Sequence, residues 1–241
     1  MNRKQHALLS VFIVVILIFV CLVHCPTASA ELRAAIAVRD VTPNPLLPVS
    51  GGVGPSNPAT RTFGRLTVRA MVLENSGTRV AICSTDFLGF PGVLCDKVRD
   101  KVPSIEPQNI LIGATHTHSA PDCYGFPDRT GTSALDLEYI NQVCNKLADA
   151  INEAIDKLQP ARIKIATGNA RGKITYNYYA ERLYDPRCDV IQALDTKGKT
   201  FITLVNYACH PEVIGSDQGI LSPDFVGPLY DRIKKRGGGT G

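Results

Sequence analysis

The sequence predicts an α/β fold in which mixed β-sheet layers carry flanking helices, with the domain incomplete at its C-terminus. Residues 135–158 have apolar side chains at three- and four-residue spacing, the pattern of an amphipathic helix. Residues 109–114 form a short continuous apolar run, which is typical of a buried strand. Other short apolar runs are separated by turn residues and indicate further strands. The 241 residues suffice for one sizeable domain, and we assign residues 31–241 to it.

A secretory signal peptide is predicted at residues 1–30. The segment begins with two basic residues, Arg3 and Lys4, and continues with an almost wholly apolar run at 7–23. It ends in Ala28-Ser29-Ala30, a small-residue signal for cleavage after the second alanine. The sequence therefore predicts export to the periplasm or the extracellular space. The alternative is an uncleaved membrane anchor, because the apolar run is long for a signal peptide.

The first predicted elements after this segment are strands. Residues 32–38 form a short apolar run before a turn, and the Pro- and Gly-rich stretch 43–64 is interpreted as a functional loop. Residues 66–73 alternate between apolar and polar. They are joined to the apolar run 79–83 by Asn75-Ser76-Gly77, which predicts a β-hairpin.

Two helices are predicted in the middle of the chain. The first begins at Pro91, is apolar on one side, and ends before Pro103. The second is the long helix at 135–158. Ser133 and Asp136 are interpreted as the capping pair at its start.

Three more strands and one helix are predicted towards the C-terminus. The strands are 163–167, 190–194 and 201–207, and Ser222-Pro223-Asp224 is interpreted as the start of the helix. The predicted buried face of this helix comprises Phe225, Leu229 and Ile233. The glycine-rich end at 237–241 resembles a loop that leads into another strand.

Histidines follow two of the predicted strands. His116 and His118 come directly after 109–114, and His210 follows 201–207. Strand ends are where open α/β sheets place their sites, and neutral imidazole is a common metal ligand. The three histidines are therefore candidates for one metal site. The alternatives are that the His-x-His pair only bonds loop backbone, or that one of the two binds metal while the other contacts substrate or water.

Acidic residues follow the same strand ends and provide candidates for a general base or for the orientation of a histidine. The candidates are Asp86, Asp122, Glu212, Asp217 and Asp224. Asp86 is the preferred catalytic candidate. It follows a strand in Ser84-Thr85-Asp86, so its presence is not explained by the capping of a helix. Asp224 is explained as a helix cap.

Composition and spacing exclude several other classes. A net charge of +4 without a basic stripe gives no support for nucleic-acid binding. A metallo-β-lactamase pattern requires Asp where this chain has Ala120. Six cysteines follow residue 30, and their spacing matches no zinc ribbon, so buried or disulfide-bonded cysteine is the expectation.

Three segments resemble the neutral/alkaline, non-lysosomal ceramidase family. Residues 110–121 are similar to its THTHSGP segment, and residues 205–211 to its second histidine segment. Ser84-Thr85-Asp86 resembles the Ser-x-Asp strand end of the family. The segments occur in the family's order, from about Ala34 to the C-terminus, so the chain resembles an N-terminal part of these enzymes.

The resemblance implies a zinc-dependent hydrolase. One Zn²⁺ would be bound by His116, His210, and a Glu and a Tyr beyond Gly241, while His118 would contact substrate or water. The bond cleaved would be an amide, in N-acylsphingosine (ceramide) or a related lipid amide. The family often has an Asn-Arg pair for substrate where this chain has Asn177-Tyr178.

The sequence thus predicts a ceramidase-like amidohydrolase with Zn²⁺ as cofactor, His116 and His210 as metal ligands, and His118 and Asp86 as catalytic residues. Its partners would be a lipid amide substrate and, through that substrate, a membrane surface. The first alternative is a secreted binding domain without catalytic activity. The second is another metal-dependent hydrolase, an esterase or a phosphoesterase.

We expect the mature chain to begin at Glu31, because the small residues before it form the cleavage signal. Intact-mass spectrometry of the chain recovered from a secreting host measures this directly. A product that keeps residues 1–30 and fractionates with membranes would support the anchor instead.

Overall fold

The computed structural model describes residues 31–241 except 53 and 173. The predicted signal peptide lies outside the described residues. None of the helices in the described part of the chain is long and apolar enough to cross a membrane. The unit Leu32–Gly241 is described below.

Twelve strands and three α-helices are formed by the described residues of this unit. The strands are β1 (Arg33–Asp40), β2 (Val49–Ser50), β3 (Arg61–Thr62), β4 (Thr67–Asn75), β5 (Thr78–Thr85), β6 (Ile110–Ala114), β7 (Ala120–Pro121), β8 (Gln159–Pro160), β9 (Arg162–Asn169), β10 (Arg187–Leu194), β11 (Thr200–Tyr207) and β12 (Ile220–Leu221). The helices are α1 (Gly92–Arg99), α2 (Leu137–Asp156) and α3 (Val226–Lys235), with short 3₁₀ turns at Pro107–Asn109 and Ser216–Gln218.

A five-stranded sheet in the order β6-β5-β4-β1-β8 forms the centre. Its pairs are antiparallel except β5 and β6, which run parallel. An antiparallel sheet in the order β11-β10-β9 is the second layer, and the short pairs β3–β12 and β2–β7 connect loops. The mixed sheets with flanking helices confirm the predicted α/β fold class.

The alternation of side chains along β1 separates two hydrophobic layers. Ala35 and Ala37 face the core formed with α1 and α2, whereas Ala34 and Ile36 face the cluster formed with the three-stranded sheet. Because successive strand residues point to opposite faces, one strand serves both layers. The five-stranded sheet is therefore covered by helices on one face and by a sheet on the other.

The hairpin of β4 and β5 follows the prediction closely. Asn75 pairs with Thr78, so Ser76 and Gly77 form a two-residue turn. Both turn residues have positive φ, 52° and 79°, as a turn that matches strand twist requires.

The cap of α2 differs from the prediction. Asp136 is itself the N-cap, and its side chain accepts from the Tyr139 backbone N–H at 2.9 Å. Ser133 lies before the helix and accepts from the Leu135 N–H at 3.0 Å. The aspartate is the cap because it precedes the first helical residue directly.

The start of α3 was also predicted too early. Asp224 has φ 56°, which a right-handed helix excludes, so the helix begins only at Val226 and lacks a side-chain cap. Its predicted apolar face is only half-buried, and no residue of α3 is fully buried. Beyond α3, Thr240 forms a parallel bridge to Ile202 of β11, so the chain end adds to the three-stranded sheet.

We expect Leu147→Ala to lower the free energy of unfolding by about 3 kcal/mol, because its fully buried side chain packs in the core under α2. Leu137→Ala, in the same helix at a side chain that is 64% exposed, is the matched control and should cost less than about 0.5 kcal/mol. Urea unfolding of both variants measures the difference. Equal losses would contradict the described packing.

Candidate metal centre

The parallel pairing of β5 and β6 places the first histidine. After the strands end, the Thr115 N–H donates to the Thr85 carbonyl at 2.9 Å, and the His116 N–H donates to the Phe87 carbonyl at 3.0 Å. His116 then adopts φ 68°, a left-handed conformation that is uncommon outside glycine. Its Nδ1 lies 2.6 Å from the Leu88 carbonyl. Two neighbouring strand ends therefore determine the direction of this imidazole.

Hydrogen bonds join the two histidine-bearing loops. The His118 N–H donates to the Pro211 carbonyl at 3.2 Å, next to His210. The segment before α3 adds two more bonds: the Ser222 N–H donates to the Ser119 carbonyl at 2.7 Å, and the Thr117 hydroxyl donates to the Ser222 carbonyl at 2.8 Å. Loops distant in sequence are thus held side by side by two backbone hydrogen bonds and one from the Thr117 hydroxyl.

The three imidazoles meet at their Nε2 atoms. Nε2 of His116 lies 2.9 Å from Nε2 of His210 and 3.4 Å from Nε2 of His118. One ligand atom from each residue falls within 4.8 Å of the other two. His118 is 8% exposed, whereas His116 and His210 are open to solvent. The structure therefore brings together all three histidines named by the sequence analysis.

A carboxylate faces the other side of two of these rings. Glu212 Oε2 lies 3.1 Å from Nδ1 of His210, and its Oε1 lies 3.2 Å from Nδ1 of His118. The contact to His210 has hydrogen-bond geometry, and the contact to His118 is at ion-pair distance without forming a hydrogen bond. Burial lowers the pKa of His118, which favours the neutral imidazole, while Glu212 acts in the opposite direction.

The arrangement fits a divalent metal ion. Zn–N bonds of about 2.0–2.1 Å in a tetrahedral site separate the nitrogens by about 3.4 Å, close to the observed Nε2 distances. The Leu88 carbonyl can only accept, so it favours the proton on Nδ1 of His116 and leaves Nε2 as a free lone pair. The same holds for His210, because a carboxylate oxygen of Glu212 lies 3.1 Å from its Nδ1. Neutral imidazoles with their lone pairs directed at one point are the form that binds metal.

A glycine lets the loop after β2 approach the site. A Cβ on Gly51 would lie 2.5 Å from the His118 carbonyl oxygen and 2.6 Å from Cβ of Ser216. The loop is held there by the β2–β7 pair, in which Ser50 lies opposite Ala120. The close contact between this loop and His118 requires a residue without a side chain.

Asp86 lies at the end of β5 but is not in contact with the histidines. It is buried, and its Oδ2 accepts from the Thr67 backbone N–H at 2.8 Å and from the Thr67 hydroxyl at 2.7 Å. Its Oδ1 accepts from the Tyr230 hydroxyl at 3.0 Å, and the Arg69 guanidinium lies 3.5 Å from the centre of that ring. Burial raises the pKa of Asp86, and these hydrogen bonds act against the shift. The cluster links β4, β5 and α3.

The other acidic candidates have different surroundings. Asp122 accepts from backbone N–H groups in its own loop, including that of Tyr124 at 2.8 Å. Asp224 accepts from the Ile214 N–H at 2.8 Å, which ties it to the loop after His210 rather than to a helix start. Glu212, which the sequence analysis ranked below Asp86, is the acid that contacts histidines. The sequence signal that could have identified Glu212 as a site residue was its position two residues after His210.

Asn177 organises an exposed turn at the position where the family often has Asn-Arg. Its Oδ1 accepts from the Tyr179 N–H at 3.0 Å, and its amide group donates to the Leu183 carbonyl at 3.1 Å. Tyr178 and Tyr179 are 80% and 94% exposed. Asn177 and Tyr178 therefore belong to a turn with exposed aromatic side chains, and this chain has no arginine at the second position of the pair.

The six cysteines after residue 30 are free thiols in the structure. Burial raises the pKa of both Cys83 and Cys123 to about 12, so neither forms a thiolate nucleophile near neutral pH. Cys83, Cys95, Cys123 and Cys144 are buried, as expected, whereas Cys188 and Cys209 are half-buried.

The fold and the histidine group define an α/β domain with a candidate three-histidine metal centre. No family model matches the chain. It is similar to the neutral ceramidase of Pseudomonas aeruginosa, with 24% identity over 200 residues, and to neutral ceramidase A of Dictyostelium discoideum, with 26% identity over 185 residues. These matches cover 73% and 68% of the chain but only 30% and 26% of the relatives.

Two solved structures are similar in fold. The crystal structure of the Pseudomonas aeruginosa neutral ceramidase superposes with a TM-score of 0.67 at 19% identity, covering 86% of this chain and 36% of that one. A ceramidase complexed with C2 superposes with a TM-score of 0.64. The comparisons confirm the resemblance to the neutral ceramidase family, and the chain spans about a third of the length of these relatives.

We expect Gly51→Ala to destabilise the protein by about 1–3 kcal/mol, because the new methyl group would overlap the His118 loop and Ser216. Gly52→Ala is the matched control, since a Cβ there meets no atom within 4 Å. Thermal unfolding of the two variants tests the contact. Similar behaviour of both would contradict the described approach of this loop to His118.

Proposed function

We propose that residues 31–241 form a ceramidase-like hydrolase domain that binds Zn²⁺ and cleaves an amide bond. The observation that carries the proposal is the convergence of three Nε2 atoms beside the ends of β6 and β11. The similarity to neutral ceramidases supports the reaction class. The proposed substrate is ceramide or a related lipid amide, because the relatives are named for ceramide cleavage.

His116 and His210 are the proposed metal ligands. Both imidazoles are open to solvent, so a substrate can approach the point that they share. Their Nδ1 atoms are held by Leu88 and Glu212, which leaves Nε2 of each ring available. A bound Zn²⁺ supplies Lewis acidity, polarising a carbonyl and making water a nucleophile near neutral pH.

His118 is the proposed catalytic residue, and we propose that Asp86, the other catalytic candidate, is a positioning residue. The family resemblance gives His118 a contact to substrate or water, and its position beside the other two rings supports such a role. The contacts of Asp86 support an indirect contribution: it fixes the end of β5, and the next residue, Phe87, accepts the hydrogen bond from the His116 backbone.

The surroundings of the site suit an amphipathic substrate. The loop between β9 and β10 carries exposed aromatic rings, among them Tyr176, Tyr178 and Tyr179. It leads into β10, whose first residues pair with the end of β11 just before His210. Tyrosine combines an apolar ring with a polar tip and suits the boundary between lipid and water. We therefore also propose that the exported protein meets its substrate at a membrane surface.

We expect the purified chain to contain about one Zn²⁺ by elemental analysis, and the double variant His116→Ala/His210→Ala to contain none, because two ligands are then lost. Circular dichroism of the variant checks that it is folded. A folded wild type without zinc would contradict the metal site and favour a binding domain.

We expect the zinc-loaded protein to hydrolyse an N-acylsphingosine to one fatty acid and one sphingoid base, and the double variant to be inactive. Matched ester and phosphoester substrates are assayed in parallel with the amide. Activity on these alone would replace amide hydrolysis by an esterase or phosphoesterase function, while zinc binding would stand.

A further inference from the structure

Two aromatic rings lie on the loop that follows β7. The rings of Tyr124 and Phe126 are stacked, with their centres 5.1 Å apart and an angle of 25° between their planes. Tyr124 is 48% exposed and Phe126 is half-buried. The loop begins a few residues after His118, so an accessible apolar surface stands close to the candidate metal centre along the chain.

One buried carboxylate fixes the backbone that carries these two rings. Asp122 is 2% exposed, and its oxygens accept from three successive N–H groups at 2.8, 3.1 and 3.0 Å. The donors are Tyr124, Gly125 and Phe126. The rings are therefore held on an ordered turn, and a ligand that binds to them pays little for ordering the protein.

Tyr124 packs over the segment that orients His116. A Cβ on Gly89 would collide with the Tyr124 hydroxyl oxygen and lie 2.6 Å from Cζ of that ring, so the ring covers a residue without a side chain. Cys123 Sγ fastens the two segments by donating to the Gly89 carbonyl at 3.1 Å. The residue before this glycine is Leu88, whose carbonyl oxygen lies 2.6 Å from Nδ1 of His116. These contacts place the Tyr124 hydroxyl within about 9 Å of that nitrogen.

We propose that the stacked pair Tyr124 and Phe126 binds the acyl chain of the substrate, so that long-chain acyl amides are the preferred substrate class. The inference rests on the proposed amide hydrolysis and deepens it. An acetyl group whose carbonyl lies at the metal centre ends before it reaches the pair, whereas a hexadecanoyl chain is long enough to pass over both rings. Removing that chain from water against two apolar faces favours binding.

The degree of exposure distinguishes this pair from the tyrosines between β9 and β10. Tyr178 and Tyr179 are 80% and 94% exposed, as suits side chains that project into a membrane surface. Tyr124 is half covered, and it rests on the segment that holds His116. Its position is that of a wall beside the site, which suits one chain of a bound substrate.

The first experiment compares N-hexadecanoylsphingosine with N-acetylsphingosine as substrates of the zinc-loaded protein. We expect Tyr124→Ala to lower the ratio of kcat/KM for the long-chain substrate to that for the short-chain substrate by about 10-fold, because apolar surface that covers the chain is lost. The loss should be found mainly in KM, since the chain is bound equally in the ground state and the transition state. Tyr124→Phe keeps the ring and should restore the ratio.

The second experiment moves the ring without removing it. Gly89→Ala places a methyl group where the end of the Tyr124 side chain lies, and it should lower the same ratio. Gly92→Ala is the matched control, because a Cβ there meets no atom within 4 Å, and it should behave as the wild type does. Zinc content is measured for each variant, since a disturbed metal centre would lower the turnover of both substrates equally.

A third measurement detects the acyl chain without catalysis. A fluorescent polyene fatty acid is bound to the protein and displaced by hexadecanoic acid or by acetate. We expect hexadecanoic acid to displace it from the wild type about 10-fold more effectively than from Tyr124→Ala, and acetate to have no effect on either.

The outcomes separate this inference from the proposed function. Equal losses on both amides, or an unchanged ratio in both Tyr124→Ala and Gly89→Ala, overturn the acyl-chain site and leave amide hydrolysis in place. Weaker binding of Tyr124→Ala to ceramide-free phosphatidylcholine vesicles would assign the pair to a membrane surface instead. A wild type that binds hexadecanoic acid through Tyr124 but cleaves neither amide overturns the proposed function alone.

Discussion

Backbone hydrogen bonds between the two histidine-bearing loops are the constraint on which the site depends. The bond from His118 to Pro211 and the bond from Ser222 to Ser119 attach segments that leave different sheets. Side chains at the ends of β6 and β11 would otherwise belong to separate layers. These bonds use main-chain atoms, so the alignment of the loops survives changes of many side chains, and the rings are positioned by the backbone before any ligand arrives.

The left-handed conformation of His116 is the local cost of this alignment. A non-glycine residue in that region is strained by about 1–3 kcal/mol and persists only when its surroundings hold it. Here the neighbouring strand end holds it, through the Phe87 and Leu88 carbonyls. Strain of this kind is concentrated at functional sites, and it accounts for the sharp turn by which the chain leaves β6 and exposes the imidazole.

Periodic and local signals predicted most of the fold. The apolar spacing of α2, the Ser76-Gly77 turn and the presence of a strand before His116 all concern residues close in sequence, where geometry follows from pattern. The predicted burial of that strand was wrong, because β6 is an edge strand of the five-stranded sheet and Leu111 is 63% exposed. The predicted start of α3 was wrong because Asp224 bonds to the loop after His210, a contact that no local pattern reveals. The contact between Glu212 and His118 could not be predicted either, because the two residues are far apart in sequence.

The distance along the chain between the two proposed metal ligands has a further consequence. His116 and His210 are 94 positions apart, so an ion held by both closes a long loop in the way that a covalent crosslink does. Unlike a covalent crosslink, the ion is released when the chain unfolds, so it stabilises the protein by binding the folded state. At a free zinc concentration 100 times Kd, one site adds about 2.7 kcal/mol to the free energy of unfolding. The stability of the folded protein would then depend on the free zinc concentration of its surroundings.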